Sequence, residues 1–230
     1  MRSKKRKLSN KVKRTLITDV NPRSPISEQY RTVRTNLNFS AVDFDLKTMM
    51  VTSSGPAEGK SLTTANLAIV FSQQGNKVLL IDADLRKPTV HYTFHTQNTV
   101  GLSNYLIGDK SLDEITNETH IDNLDTITCG PIPPNPSELL GSKAMKQLIR
   151  ESKNQYDLVV FDTPPVLAVT DAQIISSICD GTLLVVRNKQ AEIDQVKRAK
   201  ELLDQSNGRL LGTVLNDVER KKQNYYYYGT

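Results

Sequence analysis

The stretch "TMMVTSSGPAEGKSLTTANLAIVFSQQG" at residues 48–75 joins a short β-rich run to a glycine-containing loop and then to a helical segment. This succession predicts a P-loop, in which backbone N–H groups and a helix N-terminus meet phosphate oxygens. In that pattern Lys60 reaches the β- and γ-phosphates and the Ser61 hydroxyl binds Mg²⁺. The strict pattern has Gly where this chain has Ser54, but the other residues fall in the required order. The predicted nucleotide contacts in the loop are Gly55, Pro56, Ala57, Glu58, Gly59, Lys60, Ser61 and Leu62.

The rest of the chain alternates short β-rich runs with amphipathic stretches. Most of the runs are apolar without alternation, which is typical of strands buried on both faces. The predicted strands are 48–54, 77–84, 124–129, 157–163, 181–187 and 210–216. A helix is predicted at 26–41, with Ser24 or Ser27 as its N-cap. This order indicates an α/β, P-loop NTPase-like fold, with a mostly parallel sheet and helices on both faces.

Three aspartates end two of the predicted strands. Asp82 and Asp84 follow a period of two, so their side chains should face the same way, and paired carboxylates repel unless a cation or proton separates them. Asp162 ends the run "LVVFDTPP", at the usual position of a Walker B carboxylate. Ligands bind parallel sheets at the carboxyl ends of the strands. With Lys60 and Ser61, these aspartates predict a Mg²⁺-nucleotide site.

The last predicted strand bears on the choice of nucleotide. A GTPase would carry an Asn-Lys-x-Asp guanine reader, and residues 215–220 read "LNDVER" instead. ATP is therefore favoured, with Asn216 as a contact to the base. Hydrolysis and phosphoryl transfer use nearly the same parts, so the acceptor must identify the reaction.

The C-terminal stretch "QNYYYYGT" at 223–230 holds four of the eight tyrosines in the chain. Four consecutive rings fit neither the period of a strand nor that of a helix. Residues 219–224 before them are entirely polar, and terminal residues with such neighbours are usually mobile. From the residues alone, an aromatic tail that docks on the protein stays an open alternative.

The positive charge of the chain is concentrated at its N-terminus. Residues 1–14 hold eight Lys or Arg and no acid, whereas the whole chain has a net charge of +5, so the remainder is acidic. Such an arm suits nucleic acid, an anionic membrane surface at about 1 kcal/mol per basic residue, or solvent alone. No aromatic residue lies among the basic ones, which argues against single-stranded nucleic acid. Without a signal peptide, a membrane-spanning run or an N-myristoylation site, the protein is expected to be cytoplasmic and peripheral to the membrane.

The cysteines and histidines give weaker signals. Cys129 and Cys179 have no metal-ligand spacing, so buried thiols in a reducing compartment are expected. His91 and His95 could share one face of a helix, but a third ligand is lacking and a metal site there is disfavoured.

Together these residues resemble the bacterial tyrosine kinases that regulate capsular and extracellular polysaccharide synthesis, in their Gram-positive cytoplasmic form. The resemblance extends over 28–230 and rests on "GPAEGKS", "LLIDADLRKP", "VVFDTPP", "GPIPPNPSELL", "EQYRTVR" and the tyrosine cluster. It implies an ATP-dependent kinase that autophosphorylates its tail in trans, at Tyr225, Tyr226, Tyr227 and Tyr228. It also implies that Lys60 binds phosphates and that Asp82 accepts the tyrosine proton. The implied Mg²⁺ ligands are Ser61, Asp84 and Asp162.

The resemblance also implies partners. Glu28, Arg31 and Arg34 of "EQYRTVR" would contact a neighbour in a ring-like homo-oligomer, although their spacing alone predicts only a stripe of exposed ion pairs. Further implied partners are a membrane-embedded activator of the polysaccharide co-polymerase type, protein tyrosine substrates and a cognate phosphatase, with no nucleic acid. The predicted organisation is a basic flexible arm at 1–22, a kinase domain at 23–216 and a flexible tyrosine-rich tail at 217–230.

Some features leave alternatives open. Relatives often have Gly where this chain has Ala57, so a positive φ at that position would carry a backbone cost. A partitioning or positioning ATPase shares this fold, but typically has a lysine where this chain has Gly55 and has no tyrosine tail. An ATP-gated assembly subunit that transfers no phosphate is the alternative from a different functional class.

Overall fold

The computed structural model describes residues 15–206 and 208–219. In these residues the strands are β1 Thr48–Ser53, β2 Val78–Asp82, β3 Thr116–Glu118, β4 Leu124–Ile127, β5 Leu158–Asp162, β6 Gly181–Arg187 and β7 Leu210–Asn216. The helices are α1 Ile17–Val20, α2 Pro25–Ser40, α3 Lys60–Ser72, α4 Val90–Phe94, α5 Leu102–Leu106, α6 Leu112–Ile115, α7 Pro136–Leu140, α8 Lys143–Gln155, α9 Asp171–Ser176 and α10 Ile193–Gln205.

The strands form one sheet in the order β3-β4-β2-β5-β1-β6-β7. Every neighbouring pair is parallel except β3 with β4. The α/β fold with a mostly parallel sheet is therefore confirmed, and all six predicted strands are present with ends shifted by two residues or fewer. The strand β3 was not predicted, because its three residues "TNE" are polar and lie at the sheet edge, where no burial pattern marks them.

The apolar strands supply a core on each face of the sheet. Met50 and Leu79 pack on the face that carries α5 to α10, and Met49, Val51 and Leu80 pack on the face that carries α2 and α3. All five side chains are fully buried. Because both faces are covered, these strands are apolar at every position instead of alternating.

The helix α2 begins one residue before its predicted start. Pro25 occupies the first turn, where its missing N–H costs nothing, and Ser24 is the N-cap. The Ser24 hydroxyl accepts a hydrogen bond from the backbone N–H of Ser27 at 3.0 Å. Of the two predicted caps, the structure selects Ser24.

The predicted arm at 1–22 is too long at its inner end. Leu16 is buried in the core, and the buried Thr18 donates through its backbone N–H and its hydroxyl to Asn66 Oδ1 on α3, at 3.0 and 2.8 Å. The sequence "TLITDV" is short, but its apolar residues and one threonine are enough to hold α1 against α3. Residues 1–14, with the basic cluster, lie outside the described residues.

His91 lies on α4, and His95, which could have shared a helix face with it, is the residue just after the helix. α4 ends at Phe94, and His95 is its C-cap with φ of 56°. The His95 backbone N–H still donates to the carbonyl of His91, and the left-handed residue turns the chain out of the helix at this point. Among the described residues, no group of three or more His, Cys, Asp or Glu side chains is placed to hold a metal ion.

Candidate active site

The P-loop joins β1 to α3 as the sequence predicted. Gly59 is the N-cap of α3 and has φ of 91°, a conformation that glycine adopts readily. Asn216, the last residue of β7, donates through Nδ2 to the carbonyl of Glu58 at 2.9 Å. A Cβ added to Gly59 would lie 2.1 Å from that same Nδ2. The φ therefore favours glycine here, and a Cβ would displace the Asn216 amide from the Glu58 carbonyl.

The Glu58 side chain faces the protein interior. It is 2% exposed, and its Oε1 accepts hydrogen bonds from the Ser54 hydroxyl and from the Gly55 backbone N–H. Its Oε2 accepts from the backbone N–H of Arg187 at 3.2 Å. Glu58 was predicted to contact the nucleotide, and with its side chain buried it can do so only through its backbone. Its carboxylate instead stabilises the P-loop through hydrogen bonds to Ser54, which stands where the strict pattern has Gly, and to Gly55.

Ala57 adopts the positive φ that its position in the loop had raised as a question. Its φ is 63°, which costs an alanine about 1–2 kcal/mol relative to the right-handed region. Two side chains at and just after the end of β6 hold the strained turn: Arg187 Nη1 donates to the Ala57 carbonyl at 3.1 Å, and Gln190 Nε2 donates to the Pro56 carbonyl at 3.2 Å. These two hydrogen bonds stabilise a positive φ that glycine would adopt at this position without a backbone cost.

Lys60 lies at the centre of the predicted site. Its Nζ is 3.2 Å from Asp84 Oδ2, 3.4 Å from Asp162 Oδ1 and 3.2 Å from Ser61 Oγ. Burial alone would lower the pKa of Lys60, but Asp162 and Asp84 outweigh it and hold the pKa above its usual value. The Lys60 ammonium is therefore charged. It contacts Ser61, Asp84 and Asp162, which are the three residues predicted to bind Mg²⁺.

The same residues fit a bound Mg²⁺ ion. Ser61, Asp84 and Asp162 supply hard oxygen ligands, and all three converge on the position now next to Lys60 Nζ. Asp162 Oδ2 is buried and has no hydrogen-bond partner among the described residues. Mg²⁺ commonly takes one or two carboxylates and completes its shell with water and substrate phosphates, so a larger protein cluster is not required.

Asp82 lies beneath this group, on the strand next to Asp162. The two residues are partners in the β2–β5 register, and both are fully buried. Asp82 Oδ2 accepts from the backbone N–H groups of Thr89 and Val90, each at 2.8 Å, and Oδ1 accepts from that of Asp84 at 3.3 Å. Burial and then the nearby Asp162 raise the pKa of Asp82 to about 7. This carboxylate can thus exchange a proton near neutral pH.

We predict that Asp82→Asn changes the pH dependence of stability. An aspartate in an unfolded chain has a pKa near 3.9, below the folded value of about 7, so the stabilising contribution of Asp82 is present below pH 4 and is lost as the pH rises through 7. The free energy of unfolding of the variant minus that of the wild type should therefore rise by roughly 2–3 kcal/mol between pH 5 and pH 8. Urea unfolding of the metal-free proteins measures it, with the exposed Asp43→Asn as control, and parallel curves for Asp82→Asn and the wild type would contradict it.

Comparisons with known proteins give the family. A family model described as an AAA domain matches residues 46–210. Tyrosine-protein kinase YwqD of Bacillus subtilis (strain 168) is 50% identical over 222 residues, which cover 96% of this chain and 94% of that protein. The chain belongs to the bacterial tyrosine-protein kinases.

Further relatives agree with this assignment of the kinase. The putative tyrosine-protein kinase CapB of Staphylococcus aureus is 42% identical over 210 residues, covering 90% of this chain and 92% of that protein. The solved structure of the chimerical protein CapA2B2 is 42% identical and superposes with a TM-score of 0.86, covering 89% of this chain and 90% of that one. The kinase therefore matches these relatives over nearly their whole length.

The stripe predicted for subunit contact divides into two parts in the kinase. Arg31 Nη1 donates to Glu28 Oε2 at 2.9 Å, an exposed pair one turn apart on α2. Arg34 instead turns inward, and its Nη1 donates to the carbonyl of Val70 on α3. Burial, and then the nearby Arg31, lowers the pKa of Arg34. The role of these residues as an oligomer contact stays a prediction.

Two further predictions concern the tyrosine-rich tail and the membrane. The predicted phosphoacceptors Tyr225 to Tyr228 lie outside the described residues. Just before them, Asp217 Oδ2 accepts from Arg187 Nε and Nη2 at 2.9 and 2.8 Å. Within 15–206 and 208–219, the structure contains no helix of sufficient length and hydrophobicity to span a bilayer.

Arg187 is a residue that the sequence reasoning missed. It supports the P-loop at Ala57 and holds the start of the C-terminal segment at Asp217. The available signal was a charged residue that ends the apolar run "GTLLVVR", the same pattern that drew attention to Asp82 and Asp162.

Proposed function

We propose that this tyrosine-protein kinase transfers the γ-phosphoryl group of ATP to Tyr225–Tyr228 on a second copy of the chain. The observation that carries the proposal is the convergence of Ser61, Asp84 and Asp162 on Lys60 Nζ, all within 3.4 Å. A lysine, a hydroxyl and two carboxylates at the carboxyl ends of adjacent strands are what phosphoryl transfer from a metal nucleotide needs. The full-length similarity to tyrosine-protein kinases supports tyrosine as the acceptor.

The P-loop binds the phosphates in this scheme. Backbone N–H groups of 55–61 and the N-terminus of α3 face the β- and γ-phosphates, and Lys60 offsets their charge. Ser61, Asp84 and Asp162 would hold Mg²⁺, and the bound ion would neutralise charge that develops on the phosphate oxygens. Asn216, adjacent to Gly59, contacts the base from the end of β7.

Transfer requires an acceptor that loses a proton. The tyrosine oxygen bonds to the γ-phosphorus while the bond from phosphorus to the β,γ-bridging oxygen breaks, and ADP departs with those electrons. The phenol proton passes to Asp82, whose pKa of about 7 suits a base near neutral pH. Of its two oxygens, Oδ1 is the one available, because its bond to the Asp84 N–H is long at 3.3 Å whereas Oδ2 accepts two bonds of 2.8 Å.

The proposal also covers the oligomer, the membrane location and the partners of the kinase. The kinase acts in a ring-like homo-oligomer with Glu28, Arg31 and Arg34 at the contact, beneath the membrane, where the basic residues 2–14 meet the anionic inner leaflet. A membrane-embedded activator completes the site, in keeping with the chimerical character of CapA2B2, the similar solved structure. Phosphorylation of the tail and of other proteins, reversed by a cognate phosphatase, regulates capsular and extracellular polysaccharide synthesis.

The test is mass spectrometry after incubation with Mg²⁺ and ATP. Intact mass and site mapping should find phosphate on Tyr225–Tyr228 in the wild type, and none on the tail of a variant with all four tyrosines changed to Phe. Both proteins are also tested with a cytoplasmic fragment of the proposed membrane-embedded activator. If ATP binds but no phosphotyrosine forms even with that fragment, the kinase proposal fails and an ATP-gated assembly switch replaces it.

A further inference from the structure

Arg86, Asp171 and Ser137 form a hydrogen-bonded cluster away from the nucleotide contacts. Arg86 Nε donates to Asp171 Oδ2 at 2.8 Å, and its Nη2 donates to Asp171 Oδ1 at 3.0 Å and to Ser137 Oγ at 3.1 Å. The Ser137 hydroxyl donates to Asp171 Oδ1 at 2.7 Å. We call these three residues the clamp. They come from the motifs "LRKP" and "NPSELL" and from the start of α9, none of which the proposed transfer step uses.

The clamp ties the loop that carries Asp84 to the segment that follows Asp162 at the end of β5. Arg86 lies two residues after Asp84, in the loop between β2 and α4, and Asp171 is the first residue of α9, directly after the loop that follows Asp162. These strands are neighbours in the sheet. Ser137 on α7 closes the cluster from outside. Fixing Arg86 to Asp171 therefore restricts the relative position of the two loops.

In the loop between β2 and α4, a short hydrogen-bonded turn connects Arg86 of the clamp to Asp84, the proposed metal ligand. Asp84 Oδ1 accepts from the backbone N–H of Lys87 at 3.0 Å, which leaves Oδ2 directed at Lys60. Between Asp84 and Arg86, Leu85 is fully buried in the core. A displacement of Arg86 therefore moves a short, tightly bonded turn of which Asp84 is a part.

The bonding in the clamp is stronger than a surface ion pair. Asp171 is fully buried, and Arg86 engages both of its oxygens in a bidentate fork, an arrangement that lysine cannot reproduce. Burial opposes ionisation of Asp171, but the hydrogen bonds from Arg86 and Ser137 hold its pKa below the usual value. Asp171 is thus ionised at neutral pH, and it is the buried member of the pair, because the Arg86 side chain is 39% exposed.

We infer that Arg86, Asp171 and Ser137 are positioning residues for the metal nucleotide, because they set the separation of the Asp84 and Asp162 carboxylates. The inference rests on the proposed function, in that it assigns those carboxylates to Mg²⁺. Mg²⁺ demands near-ideal octahedral geometry, so a small shift of either ligand weakens it. The P-loop and Lys60 belong to β1 and α3, outside the clamp, so binding of metal-free nucleotide should not depend on the clamp.

The test measures the affinity for a non-hydrolysable fluorescent ATP analogue, with Mg²⁺ and with EDTA. Asp171→Asn should lower the gain in affinity that Mg²⁺ provides by about 10-fold, while the affinity in EDTA changes little. Arg86→Lys, which keeps the charge but loses the fork, should fall between the wild type and Asp171→Asn. The matched control is Asp180→Asn, because Asp180 also pairs with a cation, Lys153 at 3.0 Å, but directly precedes β6 and bonds to the backbone N–H of Thr48 at the amino end of β1.

The outcomes separate this inference from the proposed function. The inference is overturned if Mg²⁺ raises the nucleotide affinity of Asp171→Asn as much as it raises that of the wild type. It is also overturned if Asp171→Asn and Asp180→Asn lose the same part of this gain in affinity. If Asp171→Asn does not fold, Ser137→Ala removes only the outer hydrogen bonds, and an unchanged gain from Mg²⁺ in that variant overturns the inference. A wild type that binds the metal nucleotide without forming phosphotyrosine refutes the transfer reaction and leaves the clamp supported, because the readout is binding alone.

Discussion

Lys60→Met should lower tail phosphorylation by about 1,000-fold or more while the chain stays folded. Lys60 Nζ lies within 3.4 Å of both Asp84 and Asp162 and is the cation directed at the phosphates. Methionine fills a similar volume but carries no charge, so the γ-phosphoryl group loses its main partner from the protein. The measurement is the initial rate of phosphotyrosine formation with Mg²⁺ and ATP.

The folded state of Lys60→Met can be checked by a second effect. Without the ammonium, two buried carboxylates face each other with no cation between them, which is costly in a desolvated site. Mg²⁺ alone should therefore raise the Tm of Lys60→Met more than that of the wild type, because the ion takes the place that the ammonium held. Lys146→Met, at an exposed position of α8, is the control and should match the wild type in both rate and Tm. Phosphorylation of Lys60→Met at near the wild-type rate would contradict the role assigned to Lys60.

The convergence at Lys60 could be predicted because local sequence and one topological rule determine it. A strand followed by "GPAEGKS" and a helix predicts the P-loop, and apolar runs that end in Asp82 and Asp162 predict carboxylates at strand ends. In a parallel sheet those ends lie on one edge, so the residues meet without any knowledge of the strand order. The structure then places them on the neighbouring strands β2 and β5.

The supporting contacts could not be predicted in the same way, because each joins residues far apart in the chain. Glu58 was assigned to the nucleotide, whereas its carboxylate bonds to the backbone of Arg187, 129 positions away. The fork between Arg86 and Asp171 spans 85 positions. Nothing in the local sequence around either residue indicates its partner, since the pairing depends on how two loops approach each other after the sheet forms.

Mixing two inactive variants should restore phosphorylation of the tail. Lys60→Met keeps the tyrosines but lacks the site, and the variant with Tyr225–Tyr228 changed to Phe keeps the site but lacks the acceptors. We expect neither to form phosphotyrosine on its tail alone, and the mixture to label the Lys60→Met chain at a rate that rises with total protein concentration. Site mapping identifies the labelled chain, because only that chain has tyrosines in its tail.

The sheet order explains why transfer between copies is expected. β7, from which the tail departs, is four strand spacings from β2, or about 19 Å at ~4.8 Å per spacing. The six residues from Glu219 to Tyr225 span at most roughly 20 Å. Tyr225 could thus reach Asp82 of its own chain only as a fully straight segment across its own P-loop, whereas Tyr228, nine residues from Glu219, has a span of at most roughly 30 Å. Arg187 bonds to both Asp217 and the Ala57 carbonyl, which keeps the start of this segment next to the P-loop. The length argument therefore applies to Tyr225, and the mixing experiment decides for the later tyrosines. A wild type that labels its tail at a concentration-independent rate, together with an unlabelled mixture, would show that the transfer takes place within one chain.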